Sequence, residues 1–251
     1  MPQSPFQQIW IQGTTFLVFL ISLQPLHAQQ RQAATIWTIS PLIGVIRNEA
    51  DVRRPDGRID TQTDTAIKYG LFAMYRQGHW HATNFGFYTS VQDADVWGNL
   101  FFANWDAMPR APLSGILGAG HVYHRIETAR GNITVHVPML KAGPRWTPRP
   151  AFSVHPYAGY AWEYVDTPRS SSTEALPLFG ITINSRINRT MLGLQYYYQW
   201  GPSSSQQDYQ NLRGRVMHPI SSQWAALLRI DIMEHAGSDD QSILIGPVLS
   251  F

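Results

Sequence analysis

The segment Gln241–Phe251, with the sequence QSILIGPVLSF, alternates between two kinds of position. Every second residue from Ile243 to Phe251 is apolar, and the positions between them include Ser242 and Ser250. Because successive side chains of a β-strand point to opposite faces, this alternation predicts a strand with one fully apolar face.

The same alternation recurs along the chain at intervals set by polar turns. In residues 223–234 an apolar row opposes Arg229 and Asp231, and residues 152–164 and 190–200 show similar rows. Further strands are predicted near 36–47, 64–76, 79–91, 95–104, 113–126, 132–143, 175–187 and 208–218. The total is about twelve strands, or ten if two of the middle segments merge. Long connections are predicted at 104–112 and 144–151.

The composition agrees with a chain whose apolar residues are spread out. Hydrophobic residues make up 44% of the sequence and charged residues only 14%, against about 25% charged in ordinary soluble domains. The mean hydropathy is nevertheless −0.21. A net charge of +2 gives no field that would attract nucleic acid, and the absence of cysteine excludes disulfides and thiolate-bound metals.

The N-terminus has the pattern of an export signal. Thr14–Leu23 is an apolar run that is too short to span a bilayer, and Ala28 follows it at a suitable distance for cleavage. We therefore expect a signal peptide over residues 1–28 and a single domain over residues 29–251.

These features together resemble a Gram-negative outer-membrane β-barrel protein. The resemblance implies an all-β fold, a transmembrane antiparallel up-and-down barrel in the bacterial outer membrane, in contact with outer-membrane lipids and lipopolysaccharide. The last strand, with Ile245, Leu249 and the terminal Phe251, resembles the segment by which the barrel-assembly machinery recognises its substrates. The alternative architecture is a periplasmic β-sandwich.

A barrel of this kind would direct its polar rows into the lumen. The predicted lumen-lining residues are mostly basic: Lys68, Arg76, His121, Arg125, His136, Glu163, Arg213, Arg215, Arg229 and Asp231. A basic lining favours anionic solutes. The leading hypothesis is a narrow, porin-like transport channel or a secretion-associated barrel for polar solutes, anionic solutes and saccharides among them. A barrel filled by its own side chains, with a structural or adhesive role, is an open alternative.

The third hypothesis is an enzyme that hydrolyses lipid A or phospholipid. Ser153 and His155 share a strand face and are the candidate catalytic pair, but Glu163 lies too far along the strand to orient the imidazole. His79 and His81 are predicted to face lipid headgroups in phase with Phe85, without a third ligand for a metal. No metal and no cofactor is expected.

Overall fold

Twelve β-strands of the computed structural model close into a single barrel. The structure describes residues 35–53, 59–91, 94–129, 131–201, 208–235 and 238–251, so the predicted signal peptide lies outside the described residues. Each strand pairs antiparallel with its neighbours in chain order, and the last strand pairs with the first. The predicted all-β up-and-down barrel and its strand number are therefore confirmed. Within the described ranges no helix is long and apolar enough to cross a membrane.

Eight of the twelve strands are longer than the alternation alone indicates. In chain order they are β1 (Ile36–Arg53), β2 (Ile59–Gln77), β3 (Trp80–Val91), β4 (Ala94–Asp106), β5 (Leu113–Thr128), β6 (Gly131–Arg149), β7 (Phe152–Asp166), β8 (Ser171–Ile187), β9 (Thr190–Gln199), β10 (Tyr209–Pro219), β11 (Trp224–His235) and β12 (Ser238–Ser250).

One predicted loop is wrong. Residues 144–149 belong to β6, and the chain turns at Pro150 and Ala151 into β7. Pro144 and Pro148 made this segment resemble a loop, because proline lacks an N–H for the sheet. A shift of register between Trp146 and Arg149 interrupts the pairing with β7 beside Pro148, which is how a sheet accommodates such a residue.

The two ends of the barrel differ. Ile36 and Ser250 lie at one end, here called the terminal end, together with the tight turns at Gly78 and Asn188. Both turn residues have φ of 54°, the left-handed conformation that two-residue hairpins require. The opposite end, here called the loop end, holds the β1–β2, β7–β8 and β9–β10 connections. In outer-membrane barrels the short turns and the termini face the periplasm.

Outer side chains form an apolar band bounded by tryptophan. Ile43, Ile67 and Ile245 are each more than half exposed on the outer wall. Towards the terminal end stand Trp37, Trp80, Trp105, Trp146 and Trp224, and towards the loop end stand Trp97, Trp162 and Trp200. Two aromatic girdles around an apolar wall are the arrangement that a bilayer with two interfaces favours.

The inner face is packed rather than hollow at mid-height. Apolar side chains from all around the barrel meet in one buried cluster, with Phe85, Phe87, Leu100, Leu178 and Leu244 each at most 4% exposed. A water-filled pore would leave its lining accessible. The barrel is therefore closed at mid-height by its own side chains.

Candidate functional site

The lumen contains most of the residues that the sequence predicts for it. A residue is on the inner face when it keeps the phase of the buried cluster along its strand. By this criterion the inner face carries Lys68, Arg76, Ser153, His155, Glu163, Arg213, Arg215, Arg229 and Asp231.

Three predicted lumen residues instead lie on the outer wall, and that prediction is corrected. His121 and Arg125 alternate with buried Val122 on β5, and His136 precedes buried Val137 on β6. On β5 and β6 the apolar row belongs to the buried cluster and therefore faces inwards. The polar row of the same strands faces outwards. On the outer wall Arg125 pairs with Glu127 at 2.8 Å, and the rings of His136 and Tyr123 are 4.9 Å apart.

The prediction that His79 and His81 face lipid headgroups at the start of β3 is also wrong. Phe85 and Phe87 belong to the buried cluster, and His81 shares their inner face instead of facing headgroups. His79 lies in the turn before β3, where its Nδ1 donates a hydrogen bond to the carbonyl oxygen of Asp106 at 2.6 Å. The two histidines therefore do not act as one pair.

A central charge cluster, formed by Lys68, Arg213, Arg229 and Asp231, lies inside the lumen along the wall from β2 to β10. Asp231 accepts hydrogen bonds from Arg213 Nε at 2.6 Å and from Arg229 Nε and Nη2 at 2.6 and 3.0 Å. Lys68 Nζ donates to Ser242 Oγ at 3.3 Å. Antiparallel pairing places Arg213 opposite Asp231, so adjacent strands present both partners at one level. Such charges are tolerated in a dry interior only when they are paired.

Aromatic rings supply the second set of partners for the cations. Lys68 Nζ lies 4.2 Å from the ring centroid of Phe87, and the guanidinium carbon of Arg229 lies 3.6 Å from that of Phe85. Lys141 Nζ lies 4.3 Å from the ring centroid of Tyr157. The electron-rich ring faces attract these cations most strongly where water is excluded. Aromatic rings and the cations that lie against them therefore close the lumen together.

Charge is distributed unevenly between the two halves of the lumen. Towards the terminal end, Lys141 on β6 and Arg215 on β10 have no carboxylate partner among the described residues, and Asp106 is held by Arg145 at 2.8 Å. Carboxylates on the inner face concentrate near the loop end. Among the described residues they are Asp60, Asp64, Glu163, Glu174 and Asp240.

Lys141 is the main site residue that sequence reasoning missed. It is 8% exposed and follows Val137 and Met139 in phase along β6. The usual pattern, polar inside and apolar outside, assigned this row to lipid. A lysine within an otherwise apolar row is the feature that could have indicated an inward face, because a lysine in the bilayer centre is costly.

Ser153 and His155 face the lumen without acting on each other. No hydrogen bond joins them in the described part of the chain, and the His155 ring instead lies 5.3 Å from that of Tyr157. The structure therefore does not arrange them as a nucleophile and its base. No group of three or more histidines and carboxylates that could hold a metal ion occurs among the described residues.

No protein-family model and no curated protein matches the sequence. Solved structures do match the fold. The translocator domain of the autotransporter NalP from Neisseria meningitidis is 12% identical, with a TM-score of 0.52 over 97% of this chain and 96% of that chain. The NanC porin is 11% identical, with a TM-score of 0.52 over 82% of this chain and 98% of that chain. At these identities the likeness concerns the fold, and the chain shares the architecture of outer-membrane β-barrels.

Proposed function

We propose that this protein is an outer-membrane barrel whose narrow lumen admits anionic solutes and is closed at mid-height by its own side chains when no solute is bound. The observation that carries the proposal is the surplus of buried cations in the lumen. Lys68, Lys141 and Arg229 are 2%, 8% and 5% exposed.

A purely structural role does not explain the surplus of buried cations in the lumen. Three more charged residues lie near these cations on the inner face, namely Arg213, Arg215 and Asp231, so five cations lie near one fully buried carboxylate. Asp240, two residues along β12 from Ser242, is a further carboxylate near Lys68. Burying a charge without a counter-charge is costly, and a barrel filled only for rigidity gains more from neutral packing. An anionic solute would supply the missing negative charge.

Polar groups beside the cations suit a solute that also carries hydroxyl groups. Gln195 Nε2 donates to Tyr157 Oη at 3.3 Å, and Tyr197 Oη donates to Tyr209 Oη at 3.3 Å. Hydroxyl and amide groups can exchange such bonds for bonds to a saccharide. This supports an anionic saccharide as one class of solute.

The test is conduction by the refolded protein in a planar lipid bilayer. Under a KCl gradient we expect small unitary currents whose reversal potential shows a preference for chloride. Arg215→Gln should reduce that preference, whereas Arg125→Gln, on the outer wall, should leave it unchanged. Cation preference, or an equal effect of the two variants, would contradict the proposal.

A second candidate is a barrel that conducts nothing and serves as a membrane-embedded scaffold. The completeness of the apolar closure favours it, since Leu178 and Leu244 are 1% and 0% exposed in the lumen. Silent bilayers from protein that is demonstrably folded would select this candidate over the channel.

A further inference from the structure

Among the described residues, several nitrogen-bearing side chains in the terminal half of the lumen form no ion pair with a carboxylate. This terminal cluster consists of His81, Lys141, His155 and Arg215, contributed by β3, β6, β7 and β10. Lys141 Nζ and the His155 ring both lie against the Tyr157 ring. Arg215 donates to Asn184, two residues from the β8 partner of His155. His81 pairs with Asn104, which lies beside Lys141 at Gly118. The four side chains therefore share one region of the lumen.

Lys141 is held in place without a counter-charge. Its Nζ lies 4.3 Å from the Tyr157 ring centroid and 5.3 Å from that of Phe102, and none of the described carboxylates pairs with it. The chain makes room for it at Gly118, where a Cβ would lie 2.9 Å from Lys141 Cε and 2.6 Å from Asn104 Oδ1. Any larger residue at position 118 would displace the lysine.

Arg215 is likewise placed by a neighbouring glycine. A Cβ at Gly193 would lie 2.5 Å from Arg215 Nε, so the arginine side chain passes directly over this glycine. Asn184 Oδ1 accepts one hydrogen bond from Arg215 Nη2 at 3.1 Å. A guanidinium has five N–H donors, and within the described ranges no carboxylate accepts from this one. Its fork geometry suits a carboxylate or phosphate group.

His155 gives an independent indication of a ligand. The residue is 8% exposed, and its Nε2 is buried with no hydrogen-bond partner in the described part of the chain. A buried polar atom normally finds a partner, and each exception calls for an explanation. An oxyanion between Lys141 and His155 would provide it, because a neutral imidazole can donate from Nε2.

We infer that the terminal cluster is a binding site for an oxyanion group, a carboxylate or a phosphate, held by Lys141, Arg215 and the Nε2–H of His155. This site would give the proposed function its ligand class and its place in the lumen. It rests on the proposed function because an anion must be able to enter the lumen to reach it. Asp106 does not occupy the site, since Arg145 already pairs with it. Apart from Asp106 and Asp231, which arginines already hold, the described carboxylates of the inner face lie near the loop end, away from the terminal cluster.

Calorimetric titration of the refolded protein in zwitterionic detergent, with inorganic phosphate and separately with glucuronate as probes, tests the site. Lys141→Gln and Arg215→Gln should each raise the dissociation constant roughly tenfold or more, and Arg125→Gln should not change it. Binding of glucuronate alone or phosphate alone would identify which oxyanion the site takes. Absence of binding for both probes would overturn the inference.

Lys141→Met provides a second readout that a purely structural lysine would not produce. Replacing an unpaired buried cation by an apolar side chain of similar length should raise the melting temperature of the empty barrel. The same variant should lose the stabilisation that phosphate gives to the original protein. A fall in the melting temperature with phosphate stabilisation retained would contradict the inference.

The outcomes for site and channel are separable. Binding in detergent does not require conduction, so silent bilayers together with tight phosphate binding would remove the channel and retain the site. Chloride-selective currents with unchanged binding in Lys141→Gln and Arg215→Gln would remove the site and retain the channel.

Discussion

Asp231 is the single residue on which the packing of charges in the lumen depends most. Its carboxylate is 3% exposed and accepts hydrogen bonds from two arginines, one on its own strand and one on β10. Removing one partner from a buried charge network leaves the others uncompensated, which costs more than the network itself contributes. The consequence of losing Asp231 is therefore larger than that of losing an ordinary ion pair.

Asp231→Asn should lower the free energy of unfolding by about 3–5 kcal/mol. Urea titration of the protein in lipid vesicles, followed by tryptophan fluorescence, measures it. Glu127→Gln is the matched control because Glu127 and its partner Arg125 are 38% and 32% exposed on the outer wall. The control should cost about 1 kcal/mol or less. Equal losses in the two variants would show that Asp231 has no special structural role.

At the scale of elements, the seam between β1 and β12 closes the barrel and depends on two glycines. A Cβ at Gly44 would lie 1.8 Å from the carbonyl oxygen of Ile243, and one at Gly246 would lie 1.9 Å from that of Pro41. Real Cβ atoms do not approach backbone oxygens so closely. The two strands can pair at this distance only without a side chain at either position.

Gly44→Ala should therefore weaken the closure of the barrel. We expect loss of the heat-modifiable gel mobility typical of folded outer-membrane barrels, at temperatures where the unchanged protein keeps it. Gly214→Ala on β10 is the control, because the nearest atom to a Cβ there is Ile230 Cβ at 4.0 Å. Unchanged mobility in Gly44→Ala would contradict the role of this seam.

The alternation in the sequence predicts the strands well and their inner faces less well. For β7, β9, β11 and β12 both the strand and its inner face follow from the sequence, because charged or amide side chains such as Arg229 and Gln195 mark the row that avoids lipid. On β3, β5 and β6 the predicted face is wrong. There the inner row is apolar, with Phe85, Val122 and Met139 buried.

At the scale of the whole molecule, the lumen is closed by a layer of aromatic side chains that also hold cations. The Phe85 and Phe87 rings lie 5.8 Å apart, and each lies against a cation of the central charge cluster. Because both are buried at mid-height, they occupy the cross-section through which a solute would pass. Their removal should open that cross-section.

Phe87→Ala should increase the unitary conductance in planar bilayers while keeping the preference for anions, since the cations remain. Phe179→Ala is the control, because Phe179 is 51% exposed on the outer wall and cannot obstruct the lumen. Conductance that stays the same in both variants would indicate that another layer of side chains closes the barrel.

Alternation is a local property with the period of the strand backbone, so the amino-acid sequence is enough to predict about twelve amphipathic strands. Which face of each strand points inwards depends on the closed barrel. In a barrel of this width both faces are partly apolar, one against lipid and one against the opposite wall. The sequence contains both rows, but the pairing of β12 with β1 closes the barrel and so determines which row faces the lumen and which faces lipid. The same closure brings Lys141 and Arg215, distant in the chain, into one lumen.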